Sequence, residues 1–376
     1  MDSGNKLFLL DAYALIYRAY YAFIKNPRIN SKGFNTSAIL GFVNTLEEVL
    51  KKENPTHIGV AFDPAGPTFR HEAFEQYKAQ REETPEAIRL SVPIIKDIIR
   101  AYRIPILEVA GYEADDVIGT LATEAGRQGI TTYMMTPDKD YGQLVSDKVF
   151  MYRPKHTGGF EVMGVEEVKA KFDIQSPAQV IDMLGLMGDS SDNIPGCPGV
   201  GEKTAQKLIS EFGSIENLLE HTDQLKGALK TKVETNREMI TFSKFLATIK
   251  IDVPIQLEMD SLVREEADED SLRSIFEELE FRTLIDRVLK KGVSGNGITS
   301  TPGSKVATGK SAPSPLPLFP EEGGGIQGNL FANFTPNEPD EAKKSNLETL
   351  ESQSRNYQLI DTEEKRREIV QKLLTS

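Results

Sequence analysis

The sequence has one cysteine, Cys197, in 376 residues, so no disulfide can close within the chain. It also lacks any apolar run long enough for a signal peptide or a membrane span, and a cytosolic chain with no membrane partner is expected. The four histidines, at 57, 71, 156 and 221, are scattered, and none stands at a ligand spacing from Cys197 or from another histidine. That excludes the usual zinc-ligand patterns. There is no excess of positive charge either, the formal net charge being −13. Phosphate binding needs basic residues, so this total counts mildly against a nucleic-acid partner. It is an average, however, and a cluster of metal-binding acids would give the same figure.

What is present is a hydrophobic content of 39% in a chain long enough for one full core and a second unit. To about residue 290, short β-like runs alternate with longer helical ones, which is the pattern of an α/β fold with a mainly parallel sheet. Buried strands are predicted at Lys6 to Leu10, His57 to Phe62 and Ile130 to Thr136. Asp11 follows the first, Asp63 the second, and Asp138 with Asp140 the third, which puts these acids at the carboxyl ends of strands. Ligands bind at that edge of an open α/β sheet.

The stretch "GYEADDVIGT" places Glu113, Asp115 and Asp116 at the start of a helix running to about Arg127. Free N–H groups and the helix dipole favour carboxylates there. Helical spacing puts Glu113 and Asp116 on one face and sends Asp115 elsewhere unless the first turn is irregular. A charged first turn is common, and alone it would mean little. A further helix is predicted over Pro177 to Met187, with Ser176 as N-cap. Asp189 and Asp192 follow, and another helix is predicted from about Glu202. Gly199-Val200-Gly201 between them reads as a glycine hairpin.

Nine carboxylates therefore converge on one sheet edge: Asp11, Asp63, Glu113, Asp115, Asp116, Asp138, Asp140, Asp189 and Asp192. Unneutralised, such a cluster repels itself and its pKa values climb. Hard divalent ions, Mg²⁺ or Mn²⁺, suit all-oxygen ligands. Two such ions, about 4 Å apart, can hold the attacking and leaving oxygens of a phosphodiester. Phosphatases and receiver-type domains also place aspartates at strand ends, so the acids do not name a substrate. The segment from Thr68 to Ile88 adds Arg70, Lys78 and Arg81 among Phe69, Phe74 and Tyr77, cations for phosphate and rings for bases. An ordinary amphipathic helix would carry the same residues. "PGVGEKT" is not a P-loop, because Glu202 separates Gly201 from Lys203 and a helix precedes it. A helix, a glycine turn and a second helix with Lys203 near its start suit duplex backbone without base reading.

Taken together, "LFLLDAYALIYRAYYA", "FDPAGPTFRHEAFEQYKAQRE", "GYEADDVIGTLA", "TPDKDYGQLV" and "GLMGDSSDNIPGCPGVGEKTA" resemble the 5′ nuclease family, which includes the 5′-3′ exonuclease domain of bacterial DNA polymerase I and the flap endonucleases. The resemblance covers roughly residues 5 to 290. It implies a PIN-like, mainly parallel sheet flanked by helices, a helical arch, and a helix-three-turn-helix that grips duplex DNA and holds K⁺. By motif, the nine acids match the family's ligands for two Mg²⁺ or Mn²⁺ ions, with Asp11 and Asp116 among the catalytic residues. Lys78 and Arg81 match the arch residues that contact the scissile phosphate, Arg70 matches an arch-base arginine, and Tyr77 matches a position where the terminal base stacks. Gly199, Val200, Gly201 and Lys203 match the duplex-binding turn.

The implied organisation is a catalytic core over 1–175, a duplex-binding helical region over 176–291, a disordered linker over 292–345, and the incomplete start of a proofreading-exonuclease-like domain over 346–376. The expected activity is 5′-3′ exonuclease and flap endonuclease on DNA, in primer removal and repair, by a monomer. No polymerase motif is present in the chain. A DNA-binding scaffold without chemistry and an aspartate-rich phosphatase are the alternatives. Within the linker, "IQGNLFANF" resembles short sliding-clamp-binding peptides through Gln327, Leu330 and Phe331. Those apolar side chains gain nothing from exposure unless they dock.

Overall fold

The first strand is apolar on both faces, as a strand covered on both sides must be. In the computed structural model, which describes residues 4–155 and 158–289, Leu7 and Leu9 enter one core layer while Phe8 and Leu10 enter the other. Each such buried side chain contributes about 1.5–3 kcal/mol. This strand, β1 (Lys6–Asp11), is followed by α1 (Ala12–Ala22) and α2 (Ser37–Lys52), then β2 (His57–Ala61), α3 (Phe69–Ala73) and α4 (Glu86–Ala101). Next come β3 (Ile106–Leu107), α5 (Ala114–Arg127), β4 (Thr131–Met135), β5 (Val149–Pro154), β6 (Phe160–Met163) and α6 (Val165–Phe172). The strand order is β3-β2-β1-β4-β5-β6. All neighbours run parallel except β5 and β6, which pair antiparallel at the edge. Chain direction across the sheet reverses between β1 and β4, and this switch point opens a crevice beyond their carboxyl ends.

The predicted strands thus form within one residue or so of their expected bounds. The arch differs. The segment from Thr68 to Ile88 is not the continuous amphipathic helix of the plainer alternative: the chain makes the single-turn-and-a-half α3, then turns through residues 74–85, before α4 begins. Lys78 itself takes a left-handed φ of 56°, which no continuous helix allows.

The remaining helices are α7 (Gln179–Met187), α8 (Glu202–Phe212), α9 (Ile215–Glu220), α10 (Gly227–Thr235), α11 (Arg237–Ala247), α12 (Glu269–Glu278) and α13 (Arg282–Val288). α7 starts two residues later than expected, because the Gln179 side chain accepts from the backbone N–H groups of Gln175 (2.8 Å) and Ser176 (3.1 Å). That bond makes residues 175–178 a turn rather than a first helical turn, and Ser176 is not the cap. No second core begins at residue 176. Met134 of the sheet, Val168 of α6 and Leu184 of α7 share one apolar layer with α5 and α8, while α1, α2, α4, α12 and α13 cover the other face. The linker, the segment 346–376 and the residues Gln327, Leu330 and Phe331 lie outside the described residues.

Candidate active site

Each strand-end acid is held by the element it ends. Asp11 caps α1 by accepting from the Ala14 N–H at 3.1 Å, and its Oδ2 accepts from Thr136 Oγ1 and from the Tyr141 hydroxyl, both at 3.1 Å. Asp63 accepts from the Ala114 N–H at 2.7 Å, which ties the end of β2 to the start of α5. Asp138 accepts from the Asp140 N–H at 3.0 Å. Asp189 lies in a tight loop closed by paired backbone bonds between Asp189 and Ile194 at 3.0 and 2.8 Å. That loop depends on Gly188 and Gly196, with φ of 73° and 62°. A Cβ on Gly188 would meet the carbonyl of Ile194, and one on Gly196 the backbone of Gly188.

The α5 acids depart from simple helical spacing. Glu113 is the N-cap, extended at φ −78° and ψ 163°, and the Asp116 side chain turns back to accept from the Glu113 N–H at 3.1 Å. With the cap residue outside the helix, Asp115 reaches the same neighbourhood, its Oδ1 lying 3.8 Å from Arg70 Nη1.

Cations of the chain neutralise part of this edge. Lys78 Nζ is 2.9 Å from Glu113 Oε1 and 3.7 Å from Asp192 Oδ2. Arg81 Nη2 donates to Asp192 Oδ1 at 2.5 Å, and Lys139 Nζ lies 2.7 Å from Asp189 Oδ2. Burial acts to raise the carboxyl pKa of Glu113 and Asp192, yet the charges of Lys78 with Arg70, and of Lys78 with Arg81, hold both below the usual range. Elsewhere repulsion prevails. Burial pushes Asp11 up to about 7, with the charges of Asp63 and Asp138 adding to it. Burial and then Asp116 push Asp115 upward, and burial and then Asp138 do the same to Asp140. Among the described residues, Asp115 Oδ1 and Asp140 Oδ1 are buried oxygens with no hydrogen-bond partner.

The edge therefore carries an all-oxygen donor set with orphaned lone pairs, which fits a hard divalent cation. It is not a closed cage. Among the described residues no three histidine, cysteine or carboxylate side chains are gathered closely enough to hold an ion unaided. Lys and Arg side chains lie within ion-pair distance of five of the nine carboxylates, Glu113, Asp115, Asp116, Asp189 and Asp192.

Two expected DNA contacts are placed inside the protein instead. Arg70 is 1% exposed. Its guanidinium donates to both oxygens of Asp116 at 2.8 Å, to Glu113 at 3.2 Å, and to the carbonyls of Leu246 (3.0 Å) and Thr248 (2.8 Å). With its donors taken by protein acceptors, it has none directed at a phosphate. Tyr77 is 3% exposed, its hydroxyl 3.0 Å from Glu113 and 3.1 Å from Asp192. Its ring makes a T-shaped contact with His71 and its centroid lies 4.8 Å from Lys78 Nζ, and at this burial it offers no open face to a base. In the turn expected to meet the duplex, Gly199 takes a φ of 75° while Gly201 is the extended N-cap of α8. Val200 is buried, its N–H donating to the Cys197 carbonyl at 2.9 Å, while Gly199, Gly201 and Lys203 are exposed.

Thr136, Lys139 and Tyr141 are site residues that sequence reasoning passed over. Lys139 and Tyr141 stand inside "TPDKDYGQLV", and the signal was there: a lysine between two aspartates is placed to balance them.

Residues 6–173 match the family described as 5′-3′ exonuclease, N-terminal resolvase-like domain, and residues 175–270 match 5′-3′ exonuclease, C-terminal SAM fold. DNA polymerase I of Bacillus caldotenax is 42% identical over 287 residues, covering 76% of this chain and 32% of that protein. DNA polymerase I of Bacillus subtilis is 43% identical over 291 residues, covering 77% and 33%. The chain thus spans about a third of the length of the curated relatives it matches. In fold, it is similar to the phage T5 5′-exonuclease with bound zinc (TM-score 0.54, 21% identity, 74% of this chain and 99% of that one). It is also similar to the catalytic core of Rad2 in complex with DNA substrate (TM-score 0.51, 18% identity, 73% and 88%).

Proposed function

The chain belongs to the 5′-3′ exonuclease family, and from that premise we propose that it is a divalent-metal-dependent nuclease. Its substrate is DNA with a 5′ end or flap at a duplex junction, as in primer removal and repair. The observation that carries this reading is the pairing of Lys78 and Arg81 with Glu113 and Asp192 at the mouth of an acid-rich crevice. Cations paired to these acids and surplus carboxylates beside them are what a phosphodiester and its metal ions need together.

Asp11, Asp63, Glu113, Asp115, Asp138, Asp140, Asp189 and Asp192 are the residues that would hold two Mg²⁺ or Mn²⁺ ions. Bound there, the ions supply Lewis acidity and offset the charge of acids and phosphate. The chain's own part is to deliver the substrate. As a phosphate enters, Lys78 and Arg81 exchange carboxylate partners for phosphate oxygens and stabilise charge developing on them. Tyr77 braces Glu113 and Asp192 from behind. At the second site, the exposed start of α8 with Lys203 and the exposed backbone of Gly199 and Gly201, set by the buried Val200 between them, engages the duplex without reading sequence. The K⁺ implied by the resemblance belongs to this turn.

The deciding experiment is cleavage of a 5′-flap DNA by the full chain in Mg²⁺ and in EDTA. Cleavage at the junction that requires Mg²⁺ supports the reading. Flap binding without cleavage in any divalent metal would leave only a scaffold, and hydrolysis of soluble phosphate esters in place of DNA would point to a phosphatase.

A further inference from the structure

The acids of α5 are not chemically alike in this fold. Asp116 is fully buried, and each of its oxygens already accepts two hydrogen bonds. Oδ1 takes Arg70 Nη2 and the Lys250 N–H, both at 2.8 Å. Oδ2 takes Arg70 Nη1 at 2.8 Å and the Glu113 N–H at 3.1 Å. A carboxylate has about four lone-pair sites, so none remains for an ion. Its neighbour Asp115 has the opposite character, partly exposed and with Oδ1 accepting no hydrogen bond among the described residues, its nearest cation, Arg70 Nη1, standing off at 3.8 Å.

Arg70 is as fully committed as Asp116. From α3, just before the Lys78 and Arg81 turns, it reaches the α5 cap and the two carbonyls of Leu246 and Thr248 that end α11. Three segments distant in sequence are therefore joined through one bidentate pair. Such a buried pair is poor as a source of net stability, because desolvation offsets its attraction, but costly to break on one side. It is well suited to fixing geometry.

We infer that Asp116 is not a metal ligand: with Arg70 it is a positioning lock that sets the registry of the phosphate-contacting turn, the α5 cap and the end of α11, and leaves Glu113 and Asp115 to face the ions. This rests on the metal-dependent reading above and divides roles within it.

The test begins with the wild-type full chain crystallised with Mn²⁺, which does not depend on any variant folding. Expected is manganese bonded to Asp115, with Asp116 still on Arg70. Manganese bonded to Asp116 overturns the lock, while a crevice that takes up no manganese overturns the metal reading and the role of Asp115 with it. In solution, Mn²⁺ binding followed by electron paramagnetic resonance should weaken about tenfold or more in Asp115→Asn. It should stay within about threefold of wild type in the joint variant Arg70→Gln, Asp116→Asn.

Kinetics supply the sign. Arg70→Gln alone strands a buried charge and is the worst single change. Removing that charge as well, in the joint variant, should recover at least about tenfold in kcat over Arg70→Gln. If Asp116 were a ligand, the joint variant would be no better than Arg70→Gln and would bind Mn²⁺ more weakly than wild type.

Discussion

Lys78 Nζ lies 2.9 Å from Glu113 Oε1, so the cation expected to meet a phosphate instead meets one of the acids. The pair is half-hidden, with 17% of the lysine side chain and 6% of the glutamate side chain exposed. Burial alone would lower the Lys78 pKa, but Glu113 and Asp192 together with the Tyr77 hydroxyl raise it well above the ordinary value. The lysine is therefore held protonated and poised at the mouth of the crevice. Lys78→Ala should lower kcat on a flap substrate by about 10²-fold or more, the size expected for loss of one charge-stabilising donor. A steady-state assay in saturating Mg²⁺ measures it, and wild-type kcat in the variant would remove Lys78 from the chemistry.

Asp11 gives the metal-free protein a characteristic pH dependence. Its folded pKa of about 7 lies above the unfolded value of about 3.9, so the fold binds an extra proton between them. Stability contributed by this group is therefore lost as pH rises from about 4 to about 7. Glu113 and Asp192, with lowered values, act in the opposite sense and lose their contribution only at more acid pH. Thermal melts in EDTA should fall by several degrees from pH 5 to pH 7.5, Mg²⁺ at pH 7.5 should restore the loss, and Asp11→Asn should flatten the slope. An unchanged slope in Asp11→Asn would assign it to another group.

The loop carrying Asp189 and Asp192 depends on glycine where the backbone turns. Gly188, at φ 73° and ψ 178°, sits in a region used almost only by glycine, and a Cβ there would lie 3.0 Å from the Pro195 carbonyl oxygen. Gly188→Ala should cost about 2 kcal/mol or more, read as a lower urea midpoint. By contrast Gly201, extended and with open space around its Cβ position, should lose no more than about 1 kcal/mol on replacement by alanine, the difference between glycine and alanine as an N-cap. Equal costs at the two positions would contradict the geometry.

For the turn proposed to engage the duplex, Lys203→Ala should weaken duplex binding uniformly across sequences. It should also reduce the slope of log K against log salt by about 1, the loss of one phosphate contact. An unchanged slope, from anisotropy titrations at several salt concentrations, would move the duplex path away from α8.

The sequence by itself determined the sheet, the helices and the chemical character of the site. β1, β2 and β4 are written as apolar runs ending in acids, and strand ends on one edge of a parallel sheet converge wherever the chain folds that way. The α5 acids at a helix start were also legible, because free N–H groups there favour carboxylates, whereas Ser176, read as the cap of α7, lies before it. Only the tertiary structure decided which acid does what. Asp115 and Asp116 are adjacent and chemically identical, yet Asp116 is saturated by Arg70 and backbone N–H groups while Asp115 keeps an oxygen that accepts no hydrogen bond among the described residues. No local pattern distinguishes them, because the donors come from residues 46 and 134 positions away. For the same reason Arg70 and Tyr77 read as surface groups in a basic, aromatic segment. Their burial follows from contacts with α5, α11 and the Asp192 loop, which form only when the two halves of the chain share one core.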